Sequence, residues 1–326
     1  MKAKKVQISS FGKPEVMQII EHDLPELTDD EVLIRQTAIG FNYLDLSQRA
    51  GHMYKLNLPS GLGHEAAGVI EAVGSRVTDF RIGERVVYMN APIGAYADYR
   101  NISSEKLVKI PDNITDVQAA SILFKGLTAQ YLVNKTYPVK RGDIVLIHAA
   151  AGNVGQFLCS WAKSLGAYVI GTVTYDRRFN VAKDAGCDMV INQSKENWHL
   201  ELLDKLNGDK VNVVFDSVGK DTFMKSLDCI KKFGTMVIYG ASSGSAPAID
   251  PEILNQKGCL YLTRPSVFAH NSAIEDLRAN ANQLFEAFAK GYIKLNNINQ
   301  FQLQDIAKIH GEIEARRISG SIVFIP

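Results

Sequence analysis

Cysteine, net charge and long apolar runs are all scarce in this chain, and each scarcity argues against a class of protein. Four cysteines occur among 326 residues at spacings unlike a CxxC motif, which argues against a disulfide framework. The 36 Lys and Arg residues nearly balance the 35 Asp and Glu residues, so the net charge of +1 provides no footprint for nucleic acid or a membrane surface. No apolar run reaches the ~18 residues of a membrane span, and none follows the charged start as in a signal peptide.

Hydrophobic residues are plentiful, and their pattern differs between two parts of the chain. They make up 46% of the sequence, which suffices for a large core and favours two domains over one. Over the first part, glycines separate short strand-like runs such as Val32–Arg35, Gly68–Val73 and Arg85–Tyr88. This density of short strands predicts a β-rich, partly barrel-like domain.

Near residue 115 the pattern changes to alternating helices and strands. Residues 116–133 have helical spacing, with Thr115 as the predicted N-cap. Apolar strands and helices then alternate, which predicts an α/β domain with a doubly wound, six-stranded parallel sheet. Its predicted strands are 144–147, 168–173, 188–191, 211–215, 235–239 and 260–263.

The chain is expected to return to its first domain after this sheet. Residues 271–290 are helical in pattern, and a final strand is predicted at 321–325. We therefore predict a β-rich domain from residues 1–124 and 265–326, with a nucleotide-binding domain of residues 125–264 inserted within it.

A small-residue loop follows the first strand of the predicted parallel sheet. Residues 150–155, AAGNVG, stand where dinucleotide-binding proteins carry G-x-G-x-x-G between a strand and a helix. Gly152 would let the backbone approach a pyrophosphate, Gly155 would let the helix pack on the strand, and the helix N-terminus would bind phosphate. The alternative interpretation is a plain structural turn.

The residues after the second strand of the sheet favour NADPH over NADH. NAD-dependent enzymes place an acid at the end of this strand to bind the ribose hydroxyls, but here the strand ends in Thr174. Arg177 and Arg178 follow, and a guanidinium suits a 2′-phosphate, although Asp176 counts mildly against one. Alternatively, the two arginines only begin an exposed helix.

Several longer motifs carry a resemblance to a known family. They are Gly40–Asp45, Leu58–Gly63, Glu65–Gly68, Lys125–Thr128, Ala150–Gly155, Asp216–Gly219, Leu254–Gly258 and Thr263–Ser266. Over its full length the chain resembles the quinone oxidoreductase (zeta-crystallin-like) branch of the zinc-independent medium-chain dehydrogenase/reductase superfamily, above all its bacterial members. The resemblance implies a GroES-like catalytic domain, a Rossmann domain and NADPH-dependent reduction of quinones. The alternatives are an NADPH-dependent enone or alkenal double-bond reductase and a non-enzymatic, crystallin-like protein that binds NADPH or RNA.

The tripeptide Gly63-His64-Glu65 raises the question of zinc, because zinc-dependent relatives carry a similar tripeptide. Their first catalytic ligand is a cysteine, and this chain has Asn42 at the matching position, where an amide is a poor ligand. Their structural zinc uses clustered cysteines, and residues 90–115 contain none. We therefore expect no metal site. Without a Lewis acid, alcohol oxidation is disfavoured, whereas quinones are strong acceptors that need mainly positioning.

The resemblance also implies the site residues. Asn42, Tyr43 and Asp45 would line the catalytic end of a cleft, with His64 as a polar neighbour, although the first three could instead form a satisfied turn. The implied cofactor-binding residues are Asn42, Lys125, Thr128, Tyr131, Gly152, Asn153, Val154, Thr174, Arg178, Gln193, Ser217, Tyr239, Ser242, Ser243 and Arg264.

Some of these positions depart from the family pattern or allow a simpler interpretation. Asn153 replaces a usual glycine, and Gln193 replaces a tyrosine that stacks near the adenine. Ser47 and Met53 replace aromatic residues near the entrance, which would alter the quinone preference. Lys125 could be only a surface charge, and Ser242 and Ser243 could belong to a flexible turn.

The last predicted strand of the sheet suggests how the protein assembles. Residues 259–263, CLYLT, are apolar and carry no charge that would blunt an exposed sheet edge. Family members commonly pair through this strand, so we expect a homodimer with a sheet that continues across the subunits. The cysteine pattern and the lack of a signal peptide favour a cytoplasmic protein with reduced thiols, acting on a small-molecule quinone.

Overall fold

The computed structural model describes residues 1–52, 54–295 and 297–326. Met53, which we associated with substrate preference, lies outside the described residues. Two compact units make up the chain. One contains residues 1–124, 271–281 and 295–326, and the other contains residues 125–270 and 282–294.

The described residues form sixteen strands and ten α-helices. The strands are β1 (Lys2–Ile8), β2 (Met17–Asp23), β3 (Glu31–Gly40), β4 (Ser60–Gly61), β5 (Glu65–Val73), β6 (Arg85–Tyr88), β7 (Tyr99–Ser103), β8 (Val108–Lys109), β9 (Ile144–Ile147), β10 (Tyr168–Val173), β11 (Met189–Asn192), β12 (Val211–Asp216), β13 (Ile230–Ile238), β14 (Tyr261–Thr263), β15 (Ile298–Gln302) and β16 (Ser321–Ile325). The helices are α1 (Tyr43–Arg49), α2 (Asp116–Tyr131), α3 (Asn153–Ser164), α4 (Phe179–Asp184), α5 (Trp198–Lys205), α6 (Phe223–Cys229), α7 (Glu252–Gln256), α8 (Val267–His270), α9 (Ile274–Ala289) and α10 (Ile306–Glu314).

The first unit is β-rich, as its short strands predicted. A seven-stranded sheet has the order β15-β16-β3-β5-β6-β8 with β7 also paired to β3, and β2-β1-β4 form a smaller sheet. Alternate residues of the first part of β3 are buried, because one face of a pleated strand packs on the core. The core beneath it includes Ile34, Ile39, Ile70 and Phe324. The return of the final strand to this unit is confirmed, since β16 pairs with β3.

The second unit contains the predicted doubly wound sheet. Its six strands are all parallel and have the order β11-β10-β9-β12-β13-β14. The bounds of β9 and β10 are those predicted, whereas β13 begins five residues earlier, at Ile230 rather than residue 235. The middle strands are buried on both faces, which explains why they read as continuous apolar runs.

Helix α2 begins as its sequence predicted. The Gln118 backbone N–H donates to the Thr115 hydroxyl at 3.2 Å, and the Thr115 backbone N–H donates to the Gln118 side chain at 2.9 Å. These reciprocal bonds form a capping box and confirm Thr115 as the N-cap. Among the described residues, no helix combines the length and apolar character that crossing a bilayer requires.

The composition of the second unit differs in part from the domain bounds that we predicted. Residues 265–270 and 282–294 belong to it, whereas the sequence pattern assigned them to the β-rich domain. Packing explains the second of these segments. A Cβ atom at Gly126 would lie 2.3 Å from Cδ1 of Leu284, so the glycine allows α9 to lie directly against α2. Spacing along the chain carries no sign of this contact.

Candidate active site

The loop between β9 and α3 has the close packing that a dinucleotide-binding turn requires. Helix α3 begins immediately after Gly152, so its first turn is Asn153, Val154 and Gly155. A Cβ atom at Gly155 would lie 2.3 Å from the Ala149 carbonyl oxygen, so only glycine fits there. Gly152 is less confined, since a Cβ there would meet the same oxygen at 3.1 Å. The N–H groups of this first turn lack partners within the helix and can bind an anion.

Arginine and threonine side chains lie beside this loop at the end of β10. The Arg178 guanidinium donates to the Ala151 carbonyl at 2.6 Å, which keeps its charge next to the loop. Thr174 is exposed just after the strand. Asp176 accepts a hydrogen bond from Asn192 at 2.7 Å, so this acid is engaged by a neighbouring strand. Arg177 lies over the Tyr175 ring, 5.2 Å from its centre. Of the two arginines, Arg178 is therefore the one that contacts the loop.

More of the predicted cofactor residues follow the carboxyl ends of the parallel strands. Because the strands are parallel, these ends share one edge of the sheet, where ligands bind in doubly wound proteins. Ser217 follows β12, Tyr239, Ser242 and Ser243 follow β13, and Arg264 follows β14. Arg264 and Ser242 are exposed there.

Two of these loop residues have structural partners. The Ser243 hydroxyl donates to the Val218 carbonyl at 2.8 Å and accepts the Asp221 N–H at 3.1 Å, so it joins two loops. Burial raises the pKa of Tyr239 well above its ordinary value, while a hydrogen bond with Ser217 opposes that shift. Tyr239 therefore stays a neutral phenol.

Gln193 turns its side chain inward. Its Oε1 accepts a hydrogen bond from the Thr172 hydroxyl and lies 3.2 Å from Nδ1 of His148. His148 is fully buried, and Nε2 of its ring lies 2.8 Å from the Ser226 hydroxyl. Gln193 is thus hydrogen-bonded to buried residues of the sheet. An amide side chain also offers no aromatic ring to stack near an adenine, as a tyrosine at this position would.

Three residues of the second half of α2 lie on one helix face. Lys125, Thr128 and Tyr131 are three residues apart and are all buried. The Tyr131 ring stacks on His270, with 4.4 Å between ring centres and 12° between planes. Because Lys125 is only 3% exposed, the alternative that it is a surface charge is wrong.

In the first unit, polar side chains meet at the start of α1. Asn42 is the N-cap residue, and its backbone N–H donates to Asp45 Oδ2 at 2.9 Å. The Tyr96 hydroxyl donates to the same carboxylate oxygen at 2.8 Å. Asp45 is fully buried, whereas Tyr43 is 67% exposed. The helix start therefore presents Tyr43 outward, and Asp45 holds it from beneath.

His64 is a buried, neutral histidine. Its Nε2 lies 2.8 Å from Oε1 of Gln48, so the ring N–H donates to the amide oxygen. Burial lowers the pKa of His64 to about 4, and the positive charge of Arg100 adds to this shift. The ring centre lies 6.4 Å from that of Phe124. His64 is therefore a buried, hydrogen-bonded ring within the first unit.

The neighbour of His64 makes contacts that the sequence did not suggest. Glu65 is fully buried, and its Oε2 accepts a hydrogen bond from Asn42 Nδ2 at 3.0 Å. Its Oε1 accepts the Phe124 backbone N–H at 2.7 Å. One carboxylate therefore connects the turn before α1 to helix α2.

These contacts do not fit a zinc site. At the position where zinc-dependent relatives have a thiolate, Asn42 turns its amide nitrogen, a hydrogen-bond donor, toward Glu65. The Nε2 atom of His64 is engaged by Gln48. The described part of the chain contains no cluster of three or more His, Cys, Asp or Glu residues suited to a metal ion.

The sequence analysis did not identify several residues that hold the candidate site residues of the two units in place. Gln48, Tyr96 and His310 lie around Asp45 and His64 in the first unit. In the second unit, Asp216 is fully buried and accepts the Val218 and Gly219 N–H groups at 2.7 and 3.0 Å. The available signal in the sequence was an acid at the end of an apolar run, and it pointed to Asp216 alone.

Comparison with known proteins identifies the family. The profile of the alcohol dehydrogenase GroES-like domain matches residues 28–112, and that of zinc-binding dehydrogenase matches residues 153–284. The chain is 43% identical to a quinone oxidoreductase of Pseudomonas aeruginosa, over 99% of this chain and all of that protein. It is 42% identical to a 2-haloacrylate reductase of a Burkholderia species, over 91% of each chain.

Solved structures agree with this relationship. Escherichia coli quinone oxidoreductase, solved in complex with NADPH, superimposes with a TM-score of 0.95 at 41% identity, covering 99% of this chain and all of that one. The GroES-like and Rossmann folds implied by the resemblance are thereby confirmed. The chain belongs to the quinone oxidoreductase family of the medium-chain dehydrogenase/reductase superfamily.

Proposed function

We propose that this protein reduces quinones with NADPH and needs no metal ion to do so. The observation that carries the proposal is the match, along almost the whole chain, to quinone oxidoreductases, one of which was solved with NADPH. Quinones are strong acceptors, so a site that positions a reduced nicotinamide against one supplies most of what the reaction needs.

The residues of the second unit suit the phosphates of NADPH. Close packing at Gly155, where a side chain would clash with the Ala149 carbonyl oxygen, places the first turn of α3 at the carboxyl edge of the sheet. Its N–H groups would bind the pyrophosphate. Arg178 would bind the 2′-phosphate, with Thr174 beside it, and the hydrogen bond from Asn192 holds the carboxylate of nearby Asp176.

Other cofactor contacts would come from α2 and from the loops. We assign Lys125, Thr128 and Tyr131 to one side of the cofactor and the loop residues after β12, β13 and β14 to the other. Asn153 and Val154 would contribute backbone N–H groups. Bound NADPH would supply the reducing equivalents, and the protein binds, orients and shields it.

The first unit would supply the catalytic end. Asn42 and the exposed Tyr43 are the groups assigned to contact cofactor and quinone. Asp45 and His64 act through neighbours, since Asp45 bonds to the Asn42 backbone and His64 to Gln48. Because burial keeps His64 neutral, solvent water is the proton source assigned to the product.

The first experiment measures NADPH consumption by absorbance with a simple quinone, after dialysis against EDTA and with NADH in parallel. We expect turnover that survives chelation and prefers NADPH. Loss of activity in EDTA with recovery on adding zinc would contradict the metal-free proposal. Binding of NADPH without turnover of any acceptor would favour a non-enzymatic role.

A second candidate function is the reduction of an activated carbon–carbon double bond. The 2-haloacrylate reductase relative, at 42% identity, is as similar to this chain as several of the quinone oxidoreductases. A panel of quinones, enones, alkenals and haloacrylates at matched concentrations separates the two functions. A kcat/KM for any alkene above that for every quinone would replace the first proposal with the second.

The exposed edge of the parallel sheet supports a homodimer. Strand β14 ends the sheet, and Tyr261 and Leu262 on it are 62% and 39% exposed. Phe233, from the neighbouring strand β13, is 66% exposed. An uncharged apolar edge of this kind pairs readily with a second copy. Sedimentation should show a dimer that Leu262→Lys dissociates, and a wild-type monomer at micromolar concentration would contradict this arrangement.

A cytoplasmic location fits the four cysteines, all of which are free thiols in the structure. The Cys187 thiol donates a hydrogen bond to Cys159 Sγ at 3.4 Å, and the two residues form no disulfide. Thiol titration of the protein isolated from its native cell under nonreducing conditions should find four reactive groups after denaturation. Fewer would indicate an oxidising compartment.

A further inference from the structure

Glu65 is a fully buried acid near the proposed catalytic end, and the neighbouring backbone leaves room for its carboxylate. It lies at the start of β5, opposite Gly40 of β3. A Cβ atom at Gly40 would lie 2.6 Å from Glu65 Oε2 and 2.1 Å from the Ala120 carbonyl oxygen. The absence of a side chain at Gly40 therefore makes the room in which the carboxylate and helix α2 meet.

Both oxygens of Glu65 receive hydrogen bonds from groups of different kinds. Oε1 accepts the Phe124 backbone N–H, a donor that cannot reverse its direction. Oε2 accepts from Nδ2 of Asn42, an amide that could in principle present either its nitrogen or its oxygen. Because a carboxylate offers only acceptors, it selects the orientation with nitrogen inward. The Asn42 oxygen then faces away from Glu65, on the side of α1, where the Asn42 side chain accepts the Asp45 backbone N–H in a capping box. An amide oxygen has a second lone pair with which it can accept from a further donor.

We infer that Glu65 is a positioning residue that makes Asn42 present a hydrogen-bond acceptor to the cofactor. The inference rests on the proposed function, in which Asn42 contacts NADPH. An acceptor there would suit a donor of the nicotinamide end, either a ribose hydroxyl or the carboxamide NH₂. In this family member, the acid of the tripeptide Gly63-His64-Glu65 orients an amide.

The isosteric variant Glu65→Gln tests this role. Glutamine has one acceptor and one donor, and the fixed Phe124 N–H takes the acceptor. The remaining NH₂ then faces the Asn42 amide, which must turn and present its own NH₂ where the oxygen was. We expect the Kd for NADPH, measured by titration of its fluorescence, to rise about tenfold, with a matching rise in KM(NADPH) and no change in KM(quinone).

A second substitution should restore the lost acceptor. In Asn42→Asp with Glu65→Gln, the carboxylate at position 42 accepts from the glutamine NH₂ and still presents an oxygen outward. The Kd for NADPH should return to within about threefold of wild type. Asn42→Asp alone places two carboxylates together and should bind NADPH more weakly than either other variant.

Glu71→Gln is the matched control. Glu71 lies on the same strand but is exposed, where it pairs with Arg35. It should leave the Kd for NADPH unchanged, and an equal loss in this variant would contradict a specific role for Glu65.

The outcomes separate this inference from the proposed function. Wild-type protein that binds NADPH, with Glu65→Gln binding it equally well, would overturn the role of Glu65 and leave the proposed function intact. A double variant no better than Glu65→Gln would also overturn it. Wild-type protein that does not bind NADPH would overturn both. If Glu65→Gln does not fold, the double variant, in which each donor again meets an acceptor, decides the inference by its Kd.

Discussion

In the second unit, most candidate cofactor groups lie at strand ends and at one helix start, whereas around Asn42 side chains from distant segments contact one another. The first arrangement consists mainly of backbone geometry, as at Gly155. The second consists of hydrogen bonds accepted by the carboxylates of Asp45 and Glu65, from the Asn42 backbone and side-chain amides and from the Tyr96 hydroxyl. The loop at Gly155 should therefore lose stability and cofactor affinity when a substitution causes a steric clash. The residues around Asn42 should respond instead to changes of charge and protonation.

Gly155→Ala should have the largest effect on this comparison. The new Cβ would lie 2.3 Å from the Ala149 oxygen, which is backbone and cannot rotate away. We expect a loss of roughly 3 kcal/mol in unfolding free energy from overpacking, together with a large loss of NADPH affinity. Urea unfolding and NADPH titration measure the two effects.

The matched control for this change is Gly152→Ala. Its Cβ would meet the same oxygen at 3.1 Å, and its φ of −78° is open to alanine, so the effect should be much smaller. Equal losses of stability and NADPH affinity at Gly152 and Gly155 would show that the loop does not depend on close packing at the start of α3.

Acid should weaken the first unit through His310. Its Nε2 lies 3.3 Å from the Tyr96 hydroxyl, which itself donates to Asp45, and its buried Nδ1 has no hydrogen-bond partner among the residues that the structure describes. Burial lowers the pKa of His310 to about 3, and the charge of Arg49 adds to this shift. In the unfolded chain, His310 takes up a proton as the pH falls through about 6.5, whereas in the folded protein it takes up that proton only near pH 3.

The stability from His310 is thus present above pH 6.5 and is lost as pH falls toward 3. Between pH 7 and pH 5 the loss should be about 2 kcal/mol. Urea unfolding of His310→Gln, which cannot titrate, should show a pH dependence reduced by that amount.

A histidine of the second unit sharpens this test. In the second unit burial also lowers the pKa of His148, but the nearby Asp216 opposes the shift. A larger reduction in His148→Gln than in His310→Gln would contradict the assignment of acid sensitivity to the first unit.

Arg178→Ala should have the smallest of these effects, and a selective one. Removing a guanidinium that binds a 2′-phosphate should weaken NADPH binding by about tenfold and leave NADH binding unchanged. The ratio of kcat/KM values for the two cofactors measures this. Arg177→Ala is the control, since Arg177 lies over Tyr175 and should not affect the ratio. Equal losses of affinity for NADPH and NADH would show that Arg178 only supports the loop at Ala151 and does not bind the 2′-phosphate.

Local sequence patterns were sufficient for most of the fold. The capping box at Thr115, the apolar runs of β9 and β10 and the small residues at 150–155 each depend on neighbours within a few positions. Local propensity and periodicity therefore predicted the six-stranded parallel sheet and its glycine loop. The resemblance supplied the positions of site residues but not their partners.

What the sequence determined by itself was the order and kind of the elements, because these follow from short-range backbone chemistry. Tertiary structure alone decided that Glu65 meets both Asn42 and Phe124, that Gln193 turns toward His148, and that Lys125 is buried. The contacts of Glu65 and Gln193 join residues that are far apart in the chain, and the burial of Lys125 depends on how distant segments pack. No periodicity encodes such a pairing, since it exists only once strands and helices have packed and buried polar groups have found their partners.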